Sequence, residues 1–177
     1  MIDPTLEHKF NQHINKEIFS AYLYLSMAAW ADHRGLRGLS HWLRMQSMEE
    51  LTHVSRFFDF LAARDGRVRL ATIAEPPHDW SDIITLMHDI YRHEQEVSQG
   101  INELVSLCRE KNDHAAGAFL DWFVKEQVEE EATVKDILDR LKIVNGEGQG
   151  LLMIDQELSA RPVPIFDPNA GWSGNMR

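Results

Sequence analysis

The sequence predicts an all-α protein, a four-helix bundle with one long crossover between its second and third helices and a short fifth helix at its C-terminal end. Three observations carry that prediction. Gly and Pro are confined to a few places, and the stretches between them are long and rich in Leu, Ala, Glu and Met. Within those stretches apolar residues recur in alternating steps of four and three, the period of a helix face. The chain has 177 residues, 44% of them hydrophobic, enough for one compact domain. That domain is assigned to residues 1–161, followed by an irregular tail over 162–177.

Each helix has its own start and stop. Asp3-Pro4 puts a capping carboxylate before a proline at the first helical position, and the next interruption is Gly35 to Gly38, so the first helix runs to about residue 34. The second spans about 36 to 64 and ends near Gly66. Residues 65 to 81, with Pro76 and Pro77, form a connection. Ser81 caps a third helix that runs to about 110, and Asn112 or Asp113 caps a fourth that ends near Asn145-Gly146. A short fifth helix occupies about 150 to 160 before Pro162. Pro164, Pro168, Gly171 and Gly174 make the rest irregular. Short connections fold the first two helices, and the next two, into antiparallel hairpins. The connection of about 17 residues reaches roughly 55 Å when extended. A helix of about 29 residues is only some 44 Å long, so the connection can cross the whole bundle.

The apolar stripes locate the chemistry. The first helix gives Phe10, Ile14, Glu17, Ala21, Tyr24 and Ala28, and the second Leu36, Leu39, Leu43, Gln46, Glu50, His53, Phe57 and Phe60. The third gives Ile83, Met87, Ile90, Glu94, Val97, Ile101, Leu104 and Cys108, and the fourth Ala116, Leu120, Phe123, Gln127, Glu130, Val134, Ile137 and Leu141. A carboxylate breaks every stripe near its middle. Folding about a turn at 34 to 35 sets Glu17 between Glu50 and His53, and folding about 112 sets Glu94 opposite Glu130. All four acids therefore fall at one level.

None of the stripes carries a Lys or Arg to neutralise them, and burying unpaired charge costs several kcal/mol per ion. Protonation could remove the charge, but four neutral acids fill space less well than Leu would. Bound cations answer the problem directly. Glu50 and His53, three apart, point to one side of their helix, and this Glu-x-x-His spacing supplies ligands in di-iron bundles. Carboxylates with imidazole suit iron or manganese. The residues predict two metals sharing bridging carboxylates. Taken singly the signals are weak: Glu50-x-x-His53 arises by chance, Glu94 alone could snorkel, and the run from Glu126 to Glu131 could be a solvated face. Agreement in depth across four helices is the specific signal. Tyr24 is either core filler or a hydrogen-bond or electron donor at the metals, and Gln46 breaks its stripe without an evident role.

Composition excludes other classes. Eighteen basic and 28 acidic residues leave a net charge of −10, which repels a phosphate backbone or an anionic membrane. No run approaches the length of a membrane span and the N-terminus lacks a secretory pattern, so a cytoplasmic protein is expected. The single cysteine, Cys108, excludes an internal disulfide framework and a cysteine-based zinc site.

Together, Glu17 within Glu17-Ile18-Phe19-Ser20-Ala21-Tyr22-Leu23-Tyr24, Glu49-Glu50-Leu51-Thr52-His53, Glu94, and Glu126-Gln127-Val128-Glu129-Glu130 resemble the non-haem bacterial ferritins, over about residues 5 to 160. The resemblance implies a ferritin-like fold and a ferroxidase centre. Glu17, Glu50 and His53 would hold one iron, and Glu50 would bridge to a second bound by Glu94 and Glu130, with Gln127 nearby. It also implies a third, inner iron site near Glu49, Glu126, Glu129 and Glu130, and a hollow homo-oligomeric cage of 24 subunits that oxidises ferrous iron and stores a ferric mineral. The residues themselves add an asymmetry: the fourth helix reads Gln127-x-x-Glu130, so one metal position lacks an imidazole and holds its ion more loosely. Dioxygen or peroxide is the expected oxidant, and Glu49, Glu126 and Glu129 either line the exit of the oxidised ions or form a plain acidic surface.

A haem-containing bacterioferritin places its haem-ligating methionine directly after the bridging glutamate, where this chain has Leu51, although Met27, Met45 and Met48 are present. DNA-protecting mini-ferritins place their ligands across a subunit interface and carry a helix in the crossover, which Pro76-Pro77 disfavours. A di-iron oxygenase needs an apolar substrate pocket beside the metals, where Phe57 and Phe123 fill the space. A metal-free helical interaction protein would use the buried acids only to specify helix pairing. Apolar Leu151, Leu152, Met153, Ile154 and Leu158 on the fifth helix favour burial against neighbouring subunits.

Overall fold

The computed structural model describes residues 1–164. Among them are five helices: α1 Pro4–His33, α2 Arg37–Ala63, α3 Ile83–Glu110, α4 His114–Ile143 and α5 Gly148–Leu158. Pro162, Val163 and Pro164 are non-helical; the remainder of the tail expected over 162–177 lies outside the described residues. α1 packs along α2 and α3 along α4, and α5 docks on α2.

The helix starts follow local chemistry, with two departures from expectation. Asp3 accepts from the backbone N–H groups of Thr5 and Leu6 at 2.8 and 3.2 Å, and Asp113 accepts from Ala116 at 3.0 Å. Asp82, not Ser81, caps α3, accepting from Thr85 N–H at 2.8 Å. Ser81 donates instead to the Asp82 carboxylate; the charged acceptor takes the capping position because it binds the orphan N–H groups more strongly.

The second departure is the early start of α5, which serves α2, whose N-cap residue Leu36 supplies no side-chain bond. Asp155 of α5 supplies it, accepting from Gly38 N–H at 3.1 Å and Leu39 N–H at 2.8 Å. A Cβ on Gly38 would stand 1.6 Å from the Asp155 carbonyl oxygen, so only glycine admits this approach. α5 therefore starts at Gly148, earlier than expected, and reaches the start of α2.

The crossover runs beside α1 as the reach argument requires. Asn11 donates to the Arg67 carbonyl at 2.9 Å and accepts from Arg69 N–H; Asn15 donates to Thr72 and accepts from Ala71; Ser26 donates to Pro77; Trp30 donates to Trp80 at 3.1 Å. From Asn11 to Trp30 is about 29 Å of helix. The segment is thus anchored through backbone groups that a helical crossover would have kept to itself.

Two apolar clusters fill the bundle. One gathers Met27, Leu43, Leu86, Ile90, Val134 and Leu138; the other is aromatic, with Phe10, Phe57, Phe60, Phe119 and Phe123. Phe57 is fully buried, its ring 4.5 Å from Phe123 and 5.4 Å from Phe10. Replacing Phe57 by Ala is expected to cost about 3–5 kcal/mol, read as a lower midpoint of chemical unfolding. A midpoint within error of the parent would mean that this cluster is not a continuous core.

Candidate metal centre

Between the two clusters lies a polar layer. Glu17, Glu50, Glu94 and Glu130 are 1%, 3%, 0% and 7% exposed, and His53 and Gln127 are also buried. The six lie on the inward stripes of α1 to α4, so helical periodicity alone carries them inside.

Glu17, Glu50 and His53 bring donor atoms to a common point. His53 Nδ1 lies 3.2 Å from Glu50 Oε2 and 3.8 Å from Glu17 Oε2. Ligands at about 2.1 Å in neighbouring octahedral positions are about 3 Å apart, so these spacings suit an ion among the three. On the other side, Tyr24 Oη donates to Glu94 Oε1 and the Gln127 amide donates to Glu94 Oε2 at 3.1 Å. Gln46, which has no evident role in the sequence, donates to Glu130 Oε2 at 2.8 Å. Glu130 also reaches a second donor group with Glu49 and Glu126, both half-buried. Glu129 is exposed and stands outside that group, though its charge still acts on Glu126.

The layer carries strong electrostatic strain. Burial and the Glu17 charge push the Glu50 carboxyl well above the usual range. Burial and Glu130 push Glu94 up to about 7, and burial and Glu49 raise Glu130. Glu17 is the exception: burial disfavours its charge, but His13 and His53 hold it well below the usual range. Burial likewise disfavours a charged His53, yet the nearby Glu17 and Glu50 carboxylates outweigh it and raise the imidazole. Burial and the charges of Glu94, Glu50 and Glu130 keep the Tyr24 phenol protonated, its value well above normal. Protons thus stand in for positive charge, since the buried polar groups among the described residues include no Lys or Arg. Glu17 Oε2 and His53 Nε2 have no hydrogen-bond partner despite full burial. An orphaned carboxylate oxygen in a dry core, facing an imidazole, fits a cation.

Sequence reading passed over several neighbours. His13 Nε2 lies 2.7 Å from Glu17 Oε1, although not aligned as a hydrogen bond. Ser20 Oγ pairs with His93 Nε2 at 2.8 Å, and Ser98 Oγ lies 3.4 Å from the Gln127 amide. The steps 13, 17, 20 and 24 follow the same four–three rhythm as the apolar stripe, and all four residues are buried. His13 and Ser20 lie one residue aside from the apolar Ile14 and Ala21, in a polar register that shares Glu17 and Tyr24 with the stripe, and that register is the available signal.

An antiparallel pair of helix hairpins joined by a long crossover, with a carboxylate–imidazole layer sealed in its core, defines the class of metal-capable four-helix bundles. The chain belongs to the ferritin family: the family model for the ferritin-like domain matches residues 7–144. It is 37% identical over 159 residues to the bacterial non-heme ferritin of Escherichia coli O6:H1, covering 90% of this chain and 96% of that one. It is 34% identical over 161 residues to the bacterial non-heme ferritin of Bacteroides fragilis, covering 91% and 100%. The open pore ferritin of the hyperthermophilic archaeon Archaeoglobus fulgidus superposes with a TM-score of 0.90 at 43% identity, covering 92% of this chain and 100% of that one.

Proposed function

We propose that this chain is an iron-storage ferritin subunit that oxidises ferrous iron in its core and passes the ferric product to a mineral inside a cage of 24 copies. The observation that carries the reading is the set of four buried carboxylates with no Lys or Arg among the buried side chains of the described residues. Iron is the substrate. Glu17, Glu50 and His53 hold the first ion, and Glu50, Glu94 and Glu130 the second, with Gln127 and Tyr24 orienting Glu94 and Gln46 orienting Glu130. Each ferrous ion gives up one electron, so a pair reduces one dioxygen to hydrogen peroxide, or one hydrogen peroxide to two waters, with two protons drawn from solvent. The hard ferric products are then stabilised by carboxylate oxygens.

The second position has no imidazole, which favours its emptying after each turnover. Glu49, Glu126 and Glu130, with Glu129 at the rim, are the proposed third position on the way inward. Leu152 and Met153 of α5 are exposed on the single chain, as expected of a surface that partner copies cover. No described helix is long and apolar enough to cross a membrane, and a cytoplasmic cage agrees with the acidic composition.

The test is to load the metal-free assembled protein with ferrous iron under nitrogen and then admit air. Fast ferric absorbance, with the iron retained on the protein particle in size-exclusion chromatography, is expected. Oxidation no faster than in protein-free buffer would overturn the reading.

A further inference from the structure

We propose that Arg161 is a tethered counter-cation that competes with a metal ion for the Glu49 carboxylate and so sets how tightly the Glu49, Glu126 and Glu130 cluster holds an ion. The inference rests on the reading of that cluster as the third iron position.

The three acids bring donor atoms within 4.8 Å of one another. One of those donors is already engaged: Arg161 Nη2 donates to Glu49 Oε2. The pair is not a loose surface contact, because the two side chains are only 20% and 24% exposed. The arginine is held on three sides. Its guanidinium lies over the Trp42 ring, 5.2 Å from the centroid, and its carbonyl oxygen is 2.8 Å from His41 Nε2. Its backbone follows directly on α5, which Asp155 pins to the start of α2.

Two effects push the same way. The guanidinium occupies a carboxylate oxygen that an incoming ion needs. Its positive charge also repels the ion: a unit charge about 6 Å from a divalent cation shifts affinity by about tenfold even at the dielectric constant of water, and by more in a partly buried setting. The same charge reaches Glu130, the residue shared between the cluster and the di-iron centre. An ion that enters must break the Arg161–Glu49 bond, so the third position is a weak, transit position by construction. An ion in the di-iron centre, held by Glu17, Glu50 and His53, meets no such competitor.

The experiment is a calorimetric titration of the assembled, metal-free, full-length protein with Zn2+, which binds without redox chemistry. The parent is expected to take up two ions per subunit tightly and a third weakly. In Arg161→Gln the third should tighten by about tenfold or more, while the first, held by Glu17, Glu50 and His53 away from Arg161, is unchanged. Arg161→Lys, which keeps the charge, should retain much of the block, and Glu49→Gln added to Arg161→Gln should abolish the gain. A third ion bound equally by the parent and by Arg161→Gln would overturn the inference, as would equal tightening in Arg161→Lys. Failure of the first two ions to bind would instead overturn the di-iron reading, and the difference between parent and Arg161→Gln at the cluster would still decide this one.

Discussion

Replacing Glu50 or His53 by alanine is expected to slow the initial oxidation of ferrous iron by more than about a hundredfold. Loss of a residue that merely orients a metal ligand typically costs 10–100-fold, and these two are proposed as the ligands themselves. Glu50 is the more severe case, because it is assigned to both metal positions. With His53 it supplies two of the three donors that converge in the buried core. The stopped-flow rate of ferric absorbance on mixing ferrous-loaded protein with air measures the effect. Glu50 sits under strain in the metal-free protein, held above its usual range by burial and the Glu17 charge, so Glu50→Ala should fold at least as well as the parent. Parent-like rates in folded Glu50→Ala would show that oxidation happens elsewhere.

The second large effect is a reversal of sign at Glu94. In the folded, metal-free protein burial and the Glu130 charge push its carboxyl up to about 7, from the usual 4.5. Between those values the unfolded chain has lost its proton and the folded chain keeps it. Stability therefore falls as pH rises through that window, by on the order of 3 kcal/mol once Glu94 is forced to ionise. Glu94→Gln removes this slope. Without metal, the variant should match the parent near pH 4 and be more stable at pH 8. With metal the order inverts: an ion at a thousand times its dissociation constant stabilises the parent by about 4 kcal/mol, and the variant loses a charged ligand. Unfolding midpoints at the two pH values, with and without Zn2+, read both halves. If Glu94→Gln were less stable than the parent at pH 8 without metal, the acid would be a structural hydrogen-bonding group.

Much of this was legible in the residues because one period governs both fold and site. The four–three stripe that buries Phe10, Ile14 and Ala21 also buries Glu17, and the same holds for Glu50, Glu94 and Glu130. The crossover followed from chain reach, and α1, α2 and α4 from their punctuation. What escaped was set by contacts between segments distant in sequence. The cap of α2 comes from Asp155, more than a hundred residues away, so no local pattern announces it. Gln46 looked idle because its partner Glu130 is on another helix. Arg161 sits just past a short helix, and only the docking of α5 brings it to Glu49. His13 is different: it lies one turn before Glu17, and attention to polar as well as apolar repeats would have found it.

The central claim is that buried carboxylates from separate helices are kept in a dry core to hold cations. Crystals of the metal-free protein soaked anaerobically in ferrous iron, with diffraction recorded on both sides of the iron absorption edge, test it directly. Two anomalous peaks per subunit are expected, one bounded by Glu17, Glu50 and His53 and the other by Glu50, Glu94 and Glu130, the second less fully occupied. A core without anomalous density at saturating iron, its side chains arranged as in the metal-free protein, would contradict it.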